Sequence, residues 1–302
     1  MSPIITRGVY LPKKSKFKTL SEDLNGLKVE IGRLNTELEA AKGLSGRLAQ
    51  VTFGSPDLWL SENRGAHNGE KCYLLGCGPS LTNVDLSQLS DGAIAGVNGV
   101  AEIPDLDLDY FFSVSRNFHV NHTDSINSVR AKRRFLADYL EPHLNNSLVP
   151  TSWLRPVDQE TFTYPAELHP YGFSTEPERH VFFGGTVLFP ALQVLAHLGF
   201  STIVLLGVDH NYGLEKNPLP GGVWVSGEQI AGFNFLGDYW KADDRVHLDM
   251  RAMQRGFELA REHFQSRGKT LVNATDSTKL DAIAKITLEE ALQLPSSDGT
   301  RR

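Results

Sequence analysis

Cysteine is almost absent from this chain, with only Cys72 and Cys77 among 302 residues. The two stand five apart, across a short apolar run and the turn after it. Bridging them would distort the strand, so free thiols in a reducing compartment are expected. No apolar run approaches the roughly 20 residues that cross a bilayer. The N-terminus, MSPIITRGVYLPKKSKFKTL, lacks the continuous apolar core of a secretory signal. Excess positive charge is missing too: the formal net charge of −6 argues against a general nucleic-acid binder. The expectation is a cytoplasmic protein with no transmembrane segment. Lys13, Lys14, Lys16 and Lys18 offer at most a weak peripheral contact with the inner membrane face.

Behind that basic tail a heptad pattern runs through Leu20, Leu24, Leu27, Ile31, Leu34, Leu38, Ala41 and Leu48, with Ser45 in the one polar slot. Such spacing predicts a coiled-coil helix, and the Leu20–Leu48 seam points to a homo-oligomer, or alternatively to docking on the protein's own domain. Residues 1–50 therefore read as tail and arm, 51–70 as a linker, 71–290 as the main domain and 291–302 as a disordered tail.

The main domain opens on KCYLLGCGPSLTNVDLSQLSDGAIAGVN, Lys71 to Asn98. An apolar run from Cys72 to Leu75 breaks at a glycine turn, and a second run, Ala93 to Val97, ends at Asn98. Further strands are expected at Tyr110–Val114, Thr202–Val208 and Thr270–Asn273. Helices are expected around Ser125–Leu140, across Leu188–Leu198 with a stop at Gly199, and from about His247 to Arg267. Apolar strands alternating with glycine turns and helices predict a parallel α/β sheet. Two irregular insertions interrupt it: the proline-rich stretch from Glu141 to Arg179, and a long loop from Leu214 to Trp240 that reads as a lid.

Strand C-termini followed by glycine turns free backbone N–H groups for an anion, and open α/β sheets bind ligands there. The turn at Gly76, Cys77, Gly78, Pro79 and Ser80 is neither a Walker A loop nor G-x-G-x-x-G, because Leu81 stands where a third glycine belongs. Tight-turn sterics alone can explain its glycines. Ser80 can cap the following turn or reach a phosphate. Asn98, polar at a strand end, is harder to assign to packing. Asp209, His210, Asn211 and Tyr212 form a polar cluster after the strongest strand. His247, with Asp243 and Asp244 nearby, is a candidate general base. Asp105, Asp107 and Asp109 superficially match an Asp-x-Asp metal site, but alternation of exposed Asp with buried Leu accounts for them.

These motifs in this order, GCGPSL with VN, GGT with ALQVLAHLGFSTIVLLGVDHNYG, and LVNATDSTKL, resemble the MptE-like family, formerly DUF115, across about Lys71 to Ile286. That family is related to bacterial sialyltransferases whose first loop reads Gly-Asn-Gly-Pro-Ser-Leu. It includes flagellin glycosylation (motility accessory) proteins and archaeal 6-hydroxymethylpterin diphosphokinases. The resemblance implies a Rossmann-like sheet with helices on both faces. It implies a nucleotide-sugar donor, CMP-linked, a glycan or protein acceptor, and no required metal or cofactor. Gly76, Gly78, Pro79, Ser80 and Asn98 carry over as nucleotide contacts. Gly185, Thr186, Asp209, Asn211 and Tyr212 complete the candidate binding set. Cys77 departs from the asparagine of those sialyltransferases, which removes an amide donor. His247 is the first choice for the base and His210 the second, while Tyr212 and Tyr239 are candidates for the leaving phosphate. Two other readings stay open: a pterin diphosphokinase using ATP and Mg, with carboxylates from Asp209 or the Asp105–Asp109 segment, and a non-catalytic nucleotide-binding scaffold.

Overall fold

The computed structural model describes residues 26–28, 30–31, 33–34, 56–143, 148–157, 172–213 and 222–295. The chain divides into two compact units, Met1–Gly46 and Arg47–Arg302. In the first, the described residues are helical, and Leu27, Ile31 and Leu34 of the heptad seam are exposed. The other heptad positions lie outside the described residues, as do 158–171 of the proline-rich insertion, 214–221 of the long loop and 296–302 of the tail.

The second unit is built on an eight-stranded, wholly parallel sheet. Its strands are β1 (Lys71–Leu75), β2 (Ala93–Val97), β3 (Leu108–Ser113), β4 (Ala131–Ala137), β5 (Thr151–Leu154), β6 (Thr202–Leu206), β9 (Thr270–Asn273) and β10 (Ala284–Lys285). They lie in the order β10-β9-β6-β1-β2-β3-β4-β5. A separate antiparallel ribbon pairs β7 (Val223–Ser226) with β8 (Arg245–Leu248). Parallel sheets need cover on both faces, so their central strands read as unbroken apolar runs, and all five residues of β1 are buried. The pleat sends alternate side chains to opposite faces. Cys72 and Leu74 join a core with the helix Leu188–Leu198 and with Phe257, Ala260 and Phe264 of the helix Met250–Gln265. Tyr73 and Leu75 join Phe111, Phe118 and Ala291 on the other face. The expected Rossmann-like α/β fold is the observed one.

Three expectations need correction. The lysine- and arginine-rich helix expected over Ser125–Leu140 is interrupted by a strand. A helix ends at Ser128, and β4 follows with Arg134 buried. Arg134 donates Nη1–H to the Ile126 carbonyl and Nε–H to Thr151 Oγ1, so its charge is accommodated in the sheet through hydrogen bonds. The linker is not simply a connector: its Leu58–Glu62 helix is capped by Asp57, and Trp59 packs on Tyr110 and Phe135 beneath the Arg133 guanidinium. The long loop, in its described part, carries β7 and a short helix, Gly227–Ile230. By contrast, the stop at Gly199 is present, in the left-handed conformation at φ 104°, which glycine adopts without Cβ strain.

Lys71, at the head of β1, is fully buried. Its ammonium pairs with Asp91 at 2.5 Å and donates to the carbonyls of Ala291, Leu292 and Leu294 at 3.0–3.4 Å. A cation at a helix C-terminus satisfies carbonyls that have no intrahelical donor. The last helix, Leu288–Leu292, is thereby tied to the central strand, and the structured domain continues to residue 295.

β1 and β6 are neighbours from which the chain departs in opposite directions, β2–β5 to one side and β9–β10 to the other. At this switch point the loops after the two strands are in close contact. Gly76 N–H donates to the Leu206 carbonyl at 2.7 Å and Gly78 N–H to that of Gly207 at 2.8 Å. A Cβ on Gly76 would lie 2.6 Å from the Gly207 oxygen, and one on Gly78 only 1.8 Å from Asp209 Oδ2. Both glycines are therefore required by the approach of the second loop.

Two predictions follow from these contacts. Lys71→Ala should lower unfolding free energy by about 2 kcal/mol, since it removes charged hydrogen bonds and buried stem volume; denaturant titration reads the change. Gly78→Ala should cost about 1–3 kcal/mol through overpacking. Gly232→Ala, where nothing lies within 4 Å of the added methyl group, should cost far less in the same titration.

Candidate functional site

A cavity of about 630 Å³ opens at the C-terminal ends of β1, β2, β3 and β6 and is bounded by residues of the β7–β8 ribbon. Among the sequence candidates, Cys77, Gly78, Asn98, Gly185, Thr186, Asp209, His210, Asn211, Tyr212, Tyr239 and His247 all line it. Residues up to 170 positions apart are thus brought to one site. Gly76, Pro79 and Ser80 do not line it. Pro79 starts the 3-10 turn Pro79–Asn83, and Ser80 donates its hydroxyl to Asp209 Oδ2 at 2.7 Å. Ser80 therefore ties the glycine turn to the loop after β6.

Asn98 occupies the inner wall. Its backbone is left-handed, φ 43°, a conformation asparagine tolerates better than most residues. Its Nδ2–H donates to the Tyr239 hydroxyl at 2.8 Å, while its Oδ1 is buried without a hydrogen-bond partner. An unmatched buried acceptor costs roughly 1–3 kcal/mol, and the residue that carries it lines the cavity. The Cys77 thiol donates to the Val97 carbonyl. Burial pushes that thiol up to about 12, so the sulfur is a neutral wall atom and no nucleophile.

Tyr239 locks the loop after the ribbon's short helix onto this wall. Its ring stacks on Phe118, and its carbonyl accepts from His122 Nε2 at 3.2 Å. His122 Nδ1 lies 2.6 Å from Glu102, and Phe235 N–H donates to the Cys77 carbonyl. Burial holds the Tyr239 hydroxyl well above the ordinary phenol range, so it remains protonated.

The two candidate bases differ in setting. His210, also left-handed at φ 49°, sits edge-on to Tyr212 and Phe257, and burial lowers its imidazole to about 4. It is neutral at physiological pH. Burial likewise raises the Tyr212 phenol to about 12, leaving an O–H donor. His247 was expected at the start of the long helix. It lies instead on β8, paired with Trp224, and the helix begins at Met250 under an Asp249 cap. Asp244 does not orient it: its carboxylate accepts from Asn121 Nδ2 and the Lys241 N–H.

Sequence reading missed Ser115, Arg116 and Asn117, which follow β3, and Trp224 and Arg245 on the ribbon, all of which line the cavity. The Ser-Arg-Asn triplet had a signal, since it is another polar cluster just beyond an expected strand. The NATDSTKL segment, one of the motifs that carry the resemblance, serves as a buttress. Thr278 Oγ1 and Asn273 Nδ2 donate to the Val208 carbonyl, and Val208 N–H donates to Thr275 Oγ1. Asp105, Asp107 and Asp109 lie at the N-terminal end of β3, away from the cavity, paired with Arg130 and Lys132. Among the described residues no three His, Cys, Asp or Glu side chains gather as a metal site, and no helix is long and apolar enough to cross a membrane.

No protein-family profile matches the chain, and no curated protein sequence matches it. Among solved structures it is similar to the sialyltransferase CstII from Campylobacter jejuni in complex with cytidine-5'-monophosphate, with 13% identity over 73% of this chain and 86% of that one and a TM-score of 0.40. The same enzyme in complex with CMP-3FNeuAc gives 14% identity over 72% and 86%, with a TM-score of 0.38. Its complex with a trisaccharide acceptor and CMP gives 14% identity over 72% and 86%, with a TM-score of 0.39.

Proposed function

We propose that the chain is a glycosyltransferase of sialyltransferase type, taking a sugar from a nucleotide donor, CMP-linked, and delivering it to a hydroxyl of a glycan or protein acceptor. The observation that carries this reading is the buried, unpartnered Asn98 oxygen in the wall of a cavity at the β1/β6 switch point. A nucleotide offers the N–H and O–H donors that such an oxygen requires, and α/β sheets receive nucleotides at switch points. In this reading the acceptor oxygen attacks the anomeric carbon as the bond to the nucleotide phosphate breaks. The electron pair leaves on the phosphate, and His247 takes the acceptor proton. Tyr212, held as a neutral phenol, donates to the departing phosphate. The Tyr239 hydroxyl is engaged with Asn98 and holds the wall in place.

The nucleotide-sugar is a substrate in this scheme, and no further cofactor enters it. The heptad arm would hold copies of the chain together in the cytoplasm. The diphosphokinase alternative loses one of its two carboxylate sources, since the Asp105–Asp109 segment stands at the opposite end of the sheet.

Thermal-shift measurement separates the readings. CMP should stabilise the protein equally with and without Mg, by about 2.7 kcal/mol at a hundredfold excess over Kd. Stabilisation by ATP only with Mg would transfer the assignment to a pyrophosphokinase. His247→Ala should reduce kcat by about 10²–10⁴ while CMP still stabilises the variant; undiminished transfer would place the base elsewhere. His210 has a folded pKa below its unfolded value of about 6.5, so between the two the unfolded chain binds the extra proton. Stability should therefore fall as pH drops from about 6.5 towards 4, and His210→Gln should flatten that fall. An unchanged slope would show that the imidazole is solvated.

A further inference from the structure

The β7–β8 ribbon has two unlike faces. Val225 and Val246 lie opposite each other and, with Leu248, pack with Ile230 and Met253 in a small apolar cluster. On the other face Trp224 is paired with His247 and Ser226 with Arg245. Trp224 is 51% exposed and is the only aromatic among the large exposed hydrophobic residues described. Its indole centroid lies 4.9 Å from the Arg245 guanidinium carbon and 5.1 Å from the His247 ring. Trp224, Arg245 and His247 all line the cavity.

The strand that carries Arg245 and His247 is anchored to the main sheet's flank. Asn117 Nδ2 donates to the Arg245 carbonyl at 2.9 Å and Asn121 Nδ2 to Asp244 at 2.6 Å. The helix Arg116–Asn121 therefore anchors β8 beside the C-terminal end of β3. An exposed indole leaves apolar area in water, and packing within the protein does not explain it. A pyranose ring presents one apolar face of C–H bonds to such a surface and keeps its hydroxyls in water. A guanidinium at the indole face suits a carboxylate, which it can bind through two parallel hydrogen bonds.

We propose that Trp224 and Arg245 form an acceptor subsite for an anionic saccharide, whose ring lies on the indole and whose carboxylate meets Arg245. The proposal rests on the glycosyltransferase reading of the cavity and adds the chemical class of the acceptor. The nucleotide takes the inner end, where Asn98 is buried. The half-exposed ribbon faces the side from which a large hydrated molecule arrives. A saccharide on Trp224 would bring its hydroxyls beside His247.

The test uses the full chain, with sialyllactose as the anionic probe and lactose as its neutral counterpart. Binding is followed through the indole N–H signals of the four tryptophans, and CMP affinity is measured by calorimetry. Sialyllactose should perturb the Trp224 signal. Trp224→Ala should weaken its binding about tenfold, the scale of a buried aromatic or Arg contact. Arg245→Gln should bring sialyllactose down to the affinity of lactose. Both variants should keep CMP affinity within about twofold of wild type. Trp224→Phe should retain most saccharide binding, which separates lost stacking from a disturbed ribbon. Failure of sialyllactose to perturb Trp224 overturns the proposal, as does unchanged affinity in Trp224→Ala. A loss confined to CMP also overturns it, because Trp224 would then be a base-stacking platform. If sialyllactose binds at Trp224 but CMP does not bind at all, the subsite stands and the CMP assignment falls.

Discussion

The organisation of the site depends on the contact between the loops after β1 and β6. Two backbone hydrogen bonds and the Ser80–Asp209 bond draw them together so tightly that neither Gly76 nor Gly78 has room for a methyl group. The glycine turn is thus consumed largely by internal packing, with only Cys77 and Gly78 of its five residues reaching the cavity. The polar lining of the cavity is consequently supplied in part by the neighbouring strand ends, by Asn98 after β2 and by Arg116 and Asn117 after β3. The segment from Asn273 to Thr278 holds the other side of the contact by tying off both the N–H and the carbonyl of Val208.

The inner cavity wall and its mouth have different electrostatic character, and burial is the cause. Cys77, Tyr212, Tyr239 and His210 are each driven towards the neutral form by desolvation, which disfavours the charged state whichever sign it has. Apart from the Asp209 carboxylate, which accepts from Ser80, these wall groups therefore offer dipoles, with the Asn98 oxygen unmatched. Arg116 and Arg245 are exposed and line the same cavity. Hydrogen bonding to a base or ribose suits the first region, and anionic groups suit the second.

Much of this arrangement was legible in the residues. Unbroken apolar runs marked β1, β2 and β6, because central strands of a parallel sheet are buried on both faces. Polar residues just past their ends marked part of the cavity wall. Elements whose character depends on distant partners were not legible. β4 reads as a basic helix until Arg134 is seen donating to Ile126 and Thr151, and Arg133 lying over Trp59. His247 reads as a helix start because Val246 and Leu248 precede an amphipathic helix by only a few residues. Its strand is created by pairing with Val223–Ser226, some twenty residues earlier, and no local pattern carries that information. The role of the glycines was legible only as an alternative, and it is the spatial neighbour, Asp209, that decides it.

Cys77 can now be understood through what surrounds it. A thiol held neutral, donating to the Val97 carbonyl, presents a compact and weakly polar surface where an amide would present both a donor and an acceptor. The polar demand at this wall then falls on Asn98, whose other amide edge is fixed by Tyr239. Tyr239 is in turn fixed by Phe118 and by the His122–Glu102 pair. A single asparagine oriented by a buried tyrosine discriminates more sharply than a flexible pair of amides, because an unsatisfied oxygen cannot turn away from a ligand that lacks a donor. Under the proposed function, selectivity for the nucleotide would be concentrated at this one oxygen atom. Tyr239, which orients it directly, stands 141 positions away in sequence.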